Sequence, residues 1–160
     1  MGDKIRLLLV DDEVKFLNSL ARRLEIRGFD VFRAENGLEA IEAARNTAFD
    51  LAILDLKMSK MRGDEVLKIL KDEHEELEVL ILTGHGSMDF AVECTKLGAF
   101  CYLPKPYELE KLLHAMKEAY AARLKKKYSS DEKLLQKIEQ YNNESSPLDI
   151  LKNLCHLDNL

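Results

Sequence analysis

At 160 residues the chain has room for one well-buried domain and an appendage, but not for two domains of ordinary size. Hydrophobic residues make up 46% and aromatic residues 7%, as in a globular protein, and the net charge of −5 argues against a molecule that mainly grips nucleic acid. No apolar run approaches the roughly 20 residues of a membrane span, and the N-terminus MGDKIR lacks a signal-peptide core.

Cys94, Cys101 and Cys155 have neither disulfide-framework nor zinc spacing, and read as buried or incidental thiols of a reducing compartment. His74, His85, His114 and His156 are scattered, and Cys155–His156 has no second pair to complete a metal shell. The expectation is a soluble cytoplasmic protein.

Residues 5–10 (IRLLLV) predict a buried strand that ends on Asp11, Asp12 and Glu13. A helical period follows in Phe16 or Leu17, Leu20, Ala21 and Leu24, closed by Gly28 as the first residue past the helix end. Residues 29–33 (FDVFR) alternate, which suits a strand at a sheet edge. Asn36–Gly37 signals a turn before a short helix over 38–45, with Ala40, Ile41 and Ala44 inward. Residues 49–55 (FDLAILD) hold the most continuous apolar strand, ending abruptly on the carboxylate of Asp55. A loop over 56–63 leads to a helix over 64–72, on which Val66, Leu67 and Leu70 face inward. Residues 78–83 (EVLILT) form another buried strand, ending on the hydroxyl of Thr83. Ser87 is the expected N-cap of a helix through Leu97, which Gly98 breaks. Residues 100–103 (FCYL) are the last strand, before Pro104, Lys105 and Pro106. A longer helix then carries Leu109, Leu112, Leu113, Met116, Tyr120 and Leu124 on one stripe.

Five strands alternating with five helices predict an α/β domain with a parallel sheet and right-handed crossovers. In a doubly wound sheet the ligand site lies outside the carboxyl ends of the strands, where these polar residues fall. Singly, each has a plain reading: Asp caps helices and fills turns, and Tyr102 packs. Together, Asp11, Asp12 and Asp55 would crowd one crevice and need a cation or raised pKa values. An oxygen-only donor set suits Mg²⁺. Thr83 and Lys105 are suited to receive a phosphoryl group, so the implied chemistry is phosphoryl transfer onto a carboxylate.

These residues carry a family resemblance. VDDE (10–13), LDLKM (54–58), LTGHGS (82–87) and YLPKP (102–106) match, in order, the motifs of the receiver domain of two-component response regulators, over about residues 4–124. The last two motifs most resemble receivers of the nitrogen-regulatory class. The resemblance implies a flavodoxin-like (βα)5 doubly wound parallel sheet, strand order 2-1-3-4-5, over residues 1–127, with a helical extension over 128–160. It implies Asp55 as phosphoacceptor, Asp12 and Asp55 as direct Mg²⁺ ligands, Asp11 as a ligand through water, and the Lys57 carbonyl as a further ligand. Thr83 and Lys105 would bind the phosphoryl group, and Tyr102 would swing inward when Thr83 moves. The donor would be the phosphohistidine of a histidine kinase or phosphotransfer protein. The protein would catalyse only its own phosphorylation and dephosphorylation. One departure is visible: Ser59 stands where the family usually has proline.

Past Leu124 comes the basic run Lys125–Lys127, read as a solvated helix end complementing the dipole. Ser129 to Asp131 reads as a hinge or N-cap. Leu134, Leu135, Ile138 and Tyr141 repeat at helical spacing, and 147–157 offers Leu148, Ile150, Leu151, Leu154 and Leu157. Such short segments should dock on the receiver or on another chain. The tail is too small and too weakly basic for a helix-turn-helix, so direct nucleic-acid binding is not expected. The first expectation is a stand-alone switch acting through the surface of its fourth helix, fifth strand and fifth helix, on a protein target or a second copy. The alternative is the N-terminal regulatory receiver of a longer transcription factor. A phosphatase of similar fold would need a general acid just beyond the acceptor, and none is placed there.

Overall fold

The five short apolar runs become one sheet. A computed structural model describes residues 4–84, 88–105, 107–143 and 146–160, with the backbone alone at Thr83, Met88 and Ala91. Strands β1 (Arg6–Val10), β2 (Asp30–Ala34), β3 (Leu51–Asp55), β4 (Glu78–Thr83) and β5 (Cys101–Pro104) alternate with five helices. These are α1 (Val14–Ile26), α2 (Gly37–Asn46), α3 (Gly63–Glu73), α4 (Met88–Lys96) and α5 (Leu109–Lys127). Neighbouring strands all pair in parallel, in the order β2-β1-β3-β4-β5. This is the flavodoxin-like doubly wound fold. The direction of winding reverses between β1 and β3, and the crevice outside their carboxyl ends is where such sheets bind ligands.

Parallel strands need crossover helices, which cover both faces, so central strands are apolar along their inner positions and polar only at their ends. The two-residue period then sorts side chains into two cores. Leu7, Leu9, Leu51, Ile53, Leu80 and Leu82 face α1 and α5. Leu8, Val10, Ala52, Leu54, Val79 and Ile81 face α2 and α3. β3 is buried throughout, Asp55 included. α1 buries Leu17, Leu20, Ala21 and Leu24, and Gly28 follows its cap with φ of +97°, a conformation glycine adopts without cost.

Two strands are shifted by one residue from their expected spans, and β1 loses Ile5 from the start of its own. β2 runs one residue later than predicted, and Arg33 points not into the core but to Asn18 and Glu25 on α1. β5 also starts one residue late. Both are edge strands, whose one-sided burial leaves a weaker apolar signal than β1, β3 or β4. The predicted N-cap Ser87, with His85, and Pro106 lie outside the described residues.

The tail forms α6 (Glu132–Tyr141) and α7 (Pro147–Asp158), N-capped by Asp131 and Ser146. Both dock on their own receiver. Ile138, Ile150, Leu151, Leu154 and Leu157 join the α1–α5 core, around the fully buried Tyr120. α5 consequently buries Lys117, Ala119 and Ala121 as well as its expected stripe from Leu112 on, with Leu109 half-buried, because the sheet covers one side and α7 another. The basic run is not simply solvated. Lys125, Lys126 and Lys127 each pair with a carboxylate, respectively of Glu139, Glu78 and Asp158. Asp158 also accepts hydrogen bonds from Tyr128 (2.7 Å) and Tyr120 (3.1 Å). Among the described residues, no helix is long and apolar enough to cross a membrane.

Candidate functional site

β1 and β3 end side by side, with Leu9 opposite Ile53 and Val10 opposite Leu54, so the residues that follow share one rim. Asp11, directly after β1, and Asp55, the last residue of β3, are 2% and 4% exposed, while Asp12 is half-buried. Carboxylate oxygens of all three lie within 4.8 Å of one another. Asp11 serves its plain role too, accepting from the Glu13 amide at 2.9 Å at the start of α1.

Lys105, just past β5, reaches into this cluster. Its Nζ lies 2.7 Å from Asp11, 3.5 Å from Glu13 and 3.7 Å from Asp55. One ammonium cannot neutralise so many carboxylates. Burial pushes the Asp55 carboxyl up to about 6; Lys105 opposes the shift, and Asp11 and Asp12 add to it. Burial opposes the charge on Lys105, but its hydrogen bond to Asp11 and the nearby Asp55 and Glu13 carboxylates outweigh that and raise its pKa.

The loop after β3 closes the rim. The Lys57 amide donates to Asp55 at 3.3 Å, and the Ser59 amide donates to Asp12 at 3.1 Å. A proline at 59 would have no such donor. The loop returns tightly: a Cβ on Gly63 would fall 2.5 Å from the Leu56 Cα, so only glycine permits the approach.

Of the residues singled out from sequence, Asp11, Asp12, Asp55 and Lys105 come together, with Lys57 joined through its backbone. Thr83 ends β4 opposite Pro104 of β5, on the same edge of the sheet, but its side chain lies outside what is described. Tyr102 sits half-buried on β5 opposite Ile81, packed against the second core. Sequence reasoning missed two contributors, the Ser59 amide and Phe16, whose ring lies 4.0 Å from the Lys105 Nζ. Backbone donors leave no trace in residue type, and Phe16 showed only as an alternative to Leu17 in the α1 stripe. Cys94 and Cys101 carry thiols that burial raises to about 11, so neither is a thiolate at neutral pH. The donor set is oxygen throughout, close-packed and partly open at Asp12, a composition that fits a hard divalent cation.

Known proteins carry the same pattern. Residues 7–117 match the family model described as the response regulator receiver domain. The transcriptional regulatory protein ZraR of Klebsiella oxytoca is 40% identical over 120 residues, covering 75% of this chain and 27% of that protein. A response regulator receiver domain protein from Clostridium thermocellum superposes with a TM-score of 0.71 at 35% identity, covering 74% of this chain and 96% of the other. NtrX from Brucella abortus superposes with a TM-score of 0.74 at 26% identity, covering 86% of this chain and 33% of that one. The chain spans less than two thirds of the curated relatives it first matches, 27% and 60% of two of them. From the four motifs, the strand order, the carboxylate rim and these likenesses together, the chain belongs to the response regulator receiver domain family.

Proposed function

We propose that this receiver is a cytoplasmic switch of a two-component system that accepts a phosphoryl group on Asp55 in a Mg²⁺-dependent reaction. The observation that carries the reading is Asp55 itself: a buried carboxylate at the end of the central strand, 3.7 Å from the Lys105 ammonium and beside Asp11 and Asp12. Asp11, Asp12, Asp55 and the Lys57 carbonyl would hold the Mg²⁺. When bound, the ion supplies charge neutralisation for the carboxylates and for the phosphoryl oxygens.

In the transfer, an Asp55 carboxylate oxygen forms a bond to the phosphorus of a phosphohistidine on a histidine kinase or phosphotransfer protein. The P–N bond breaks, and the imidazole nitrogen leaves with its electron pair and takes a proton from solvent. Lys105 and Thr83 bind the transferred group as a cation and a hydroxyl donor. The ionised form of Asp55 is the nucleophile, so a pKa near 6 keeps most of it competent at neutral pH. Receivers of this family catalyse only their own phosphorylation and dephosphorylation.

Tyr102 links the site to the output face of α4, β5 and α5. It lines an open groove of about 500 Å³ with Phe100, Cys101, Leu103 and Ala115, apolar enough to take a protein target or a second copy. The receiver unit spans 1–127, and none of the described residues of the extension 128–160 lines that groove. No direct contact with nucleic acid is assigned to these residues, and their charge of −5 supports that.

Incubation with a small acyl-phosphate donor and Mg²⁺ should add one phosphoryl mass to the chain. Asp55→Asn should abolish the adduct, and EDTA should slow its formation at least tenfold. An unchanged adduct on Asp55→Asn would sink the assignment.

A second reading is favoured by the lengths of the relatives: the receiver as the N-terminal regulatory part of a longer transcription factor. ZraR is a transcriptional regulatory protein of which this chain matches only 27%. Coding sequence that continues past the Leu160 codon would support it, and a stop codon there would overturn it.

A further inference from the structure

Lys105 is held from two sides. Carboxylates of Asp11, Glu13 and Asp55 face its ammonium, at 2.7, 3.5 and 3.7 Å. On the other side is an aromatic face: the Lys105 Nζ lies 4.0 Å from the ring centroid of Phe16 on α1. That is close for a cation over a ring, where attraction extends to about 6 Å. The Lys105 side chain is only 12% exposed, so water screens the contact weakly.

The ring is itself fixed. Tyr107, past β5, packs edge-on against Phe16 with centroids 5.8 Å apart and planes at 85°. The Tyr107 hydroxyl meets Arg23 of α1 at 3.5 Å. Two elements distant in sequence thus set the plane of one ring beneath the lysine whose ammonium pairs with Asp55.

We propose that Phe16 is a positioning residue for phosphoryl binding: its face anchors the Lys105 ammonium between Asp11 and Asp55, so that the cation is pre-placed for the anion. The physical reason is selectivity of the anchor. Every carboxylate that holds Lys105 also competes with an incoming phosphoryl group for its charge and its hydrogens. A ring face attracts the ammonium without occupying its N–H donors and carries no net charge. The chain could hold Lys105 by carboxylates alone only by strengthening the ion pairs that anion binding must break. Phe16 removes part of that conflict, and leaves the carboxylates themselves untouched. The inference rests on the phosphoacceptor reading above.

The test uses the full chain and beryllofluoride, an acyl-phosphate mimic, titrated at saturating Mg²⁺ and followed by amide NMR shifts. Mg²⁺ alone is titrated in parallel. Phe16→Met keeps apolar bulk and removes the ring, while Phe16→Tyr keeps the ring. Phe16→Met should weaken beryllofluoride binding about threefold to thirtyfold, the range from an exposed to a desolvated cation–π contact. Its Mg²⁺ affinity should stay within twofold of the parent, and Phe16→Tyr should restore beryllofluoride binding. A purely structural role for Phe16 would move both affinities together or neither. Equal beryllofluoride affinity in Phe16→Met and parent, or a parallel fall in Mg²⁺ affinity, would overturn the proposal. Failure of the parent chain to bind beryllofluoride at all would instead overturn the phosphoacceptor reading beneath it.

Discussion

Asp55 shows how one residue carries opposed demands. Its place at the end of a strand buried on both faces would preorganise it for the proposed role of phosphoacceptor, and the same burial penalises its charge. Because its folded pKa of about 6 lies above the ordinary value of 3.8, its favourable contribution is present at low pH. That contribution is lost as pH rises through about 6. In a metal-free buffer with chelator at pH 7.5, Asp55→Asn should therefore stabilise the chain, by about 2 kcal/mol. The gain should shrink toward pH 4, where the folded carboxyl is protonated and the unfolded one is roughly half so. Thermal unfolding of the two proteins at both pH values checks the sign. A destabilised Asp55→Asn at pH 7.5 would mean that Lys105 compensates the carboxylate more fully than burial penalises it.

At the scale of elements, α7 is held by both oil and charge. Its apolar face enters the core beside Tyr120 and Leu124, and its last residue, Asp158, takes hydrogen bonds from Tyr120, Lys127 and Tyr128 of α5 and its cap. Burial works against the charge of Asp158, but the bonds from Lys127, Tyr128 and Tyr120 outweigh it and hold the pKa below the usual value. This stabilisation is present above the unfolded pKa and is lost as pH falls through the folded one. Asp158→Ala removes the acceptor and leaves three donors to find others, one of them on the fully buried Tyr120. The expected cost is about 2–4 kcal/mol in urea unfolding at pH 7. Hydrogen exchange should accelerate first in α7, while the amides of β1 and β3 keep their protection until global unfolding. Uniform acceleration across the sheet would show that α7 and the receiver open as one unit.

For the whole molecule, the extension completes a core rather than hanging from it. Without residues 128–160, α5 would expose the faces of Tyr120, Ala121 and Leu124 that α7 now covers. Burial of Ile150, Leu151, Leu154 and Leu157 contributes about 1.5–3 kcal/mol each against water, before the entropy of ordering two helices is subtracted. A chain ending at Lys127 should fold, because the sheet and its five helices are intact, but should lose roughly 3–6 kcal/mol in urea unfolding. Its phosphorylation rate by a small donor should change little, since the extension docks on the α1–α5 core rather than at the carboxylate rim. An unchanged unfolding midpoint would show that the receiver core closes without α7.

The sequence by itself determined the alternation of strands and helices, the parallel sheet, and the identity of the carboxylates and lysine at its rim. Those features are local: apolar runs of four to six residues, three-and-four spacing, and polar residues placed where the runs stop. Asp11, Asp12, Asp55 and Lys105 were legible because a buried strand that ends on a charge needs a reason. The edge strands β2 and β5 slipped by a residue, since half-buried strands carry half the signal. What only the tertiary structure decided is pairing between distant residues. Lys105 meets Phe16, and the Ser59 amide takes Asp12. Lys125, Lys126 and Lys127 find three separate carboxylates, and α7 buries the back of α5. None of these leaves a periodicity in the chain, because each is set by how helices and loops meet in space, after the local rules have been satisfied.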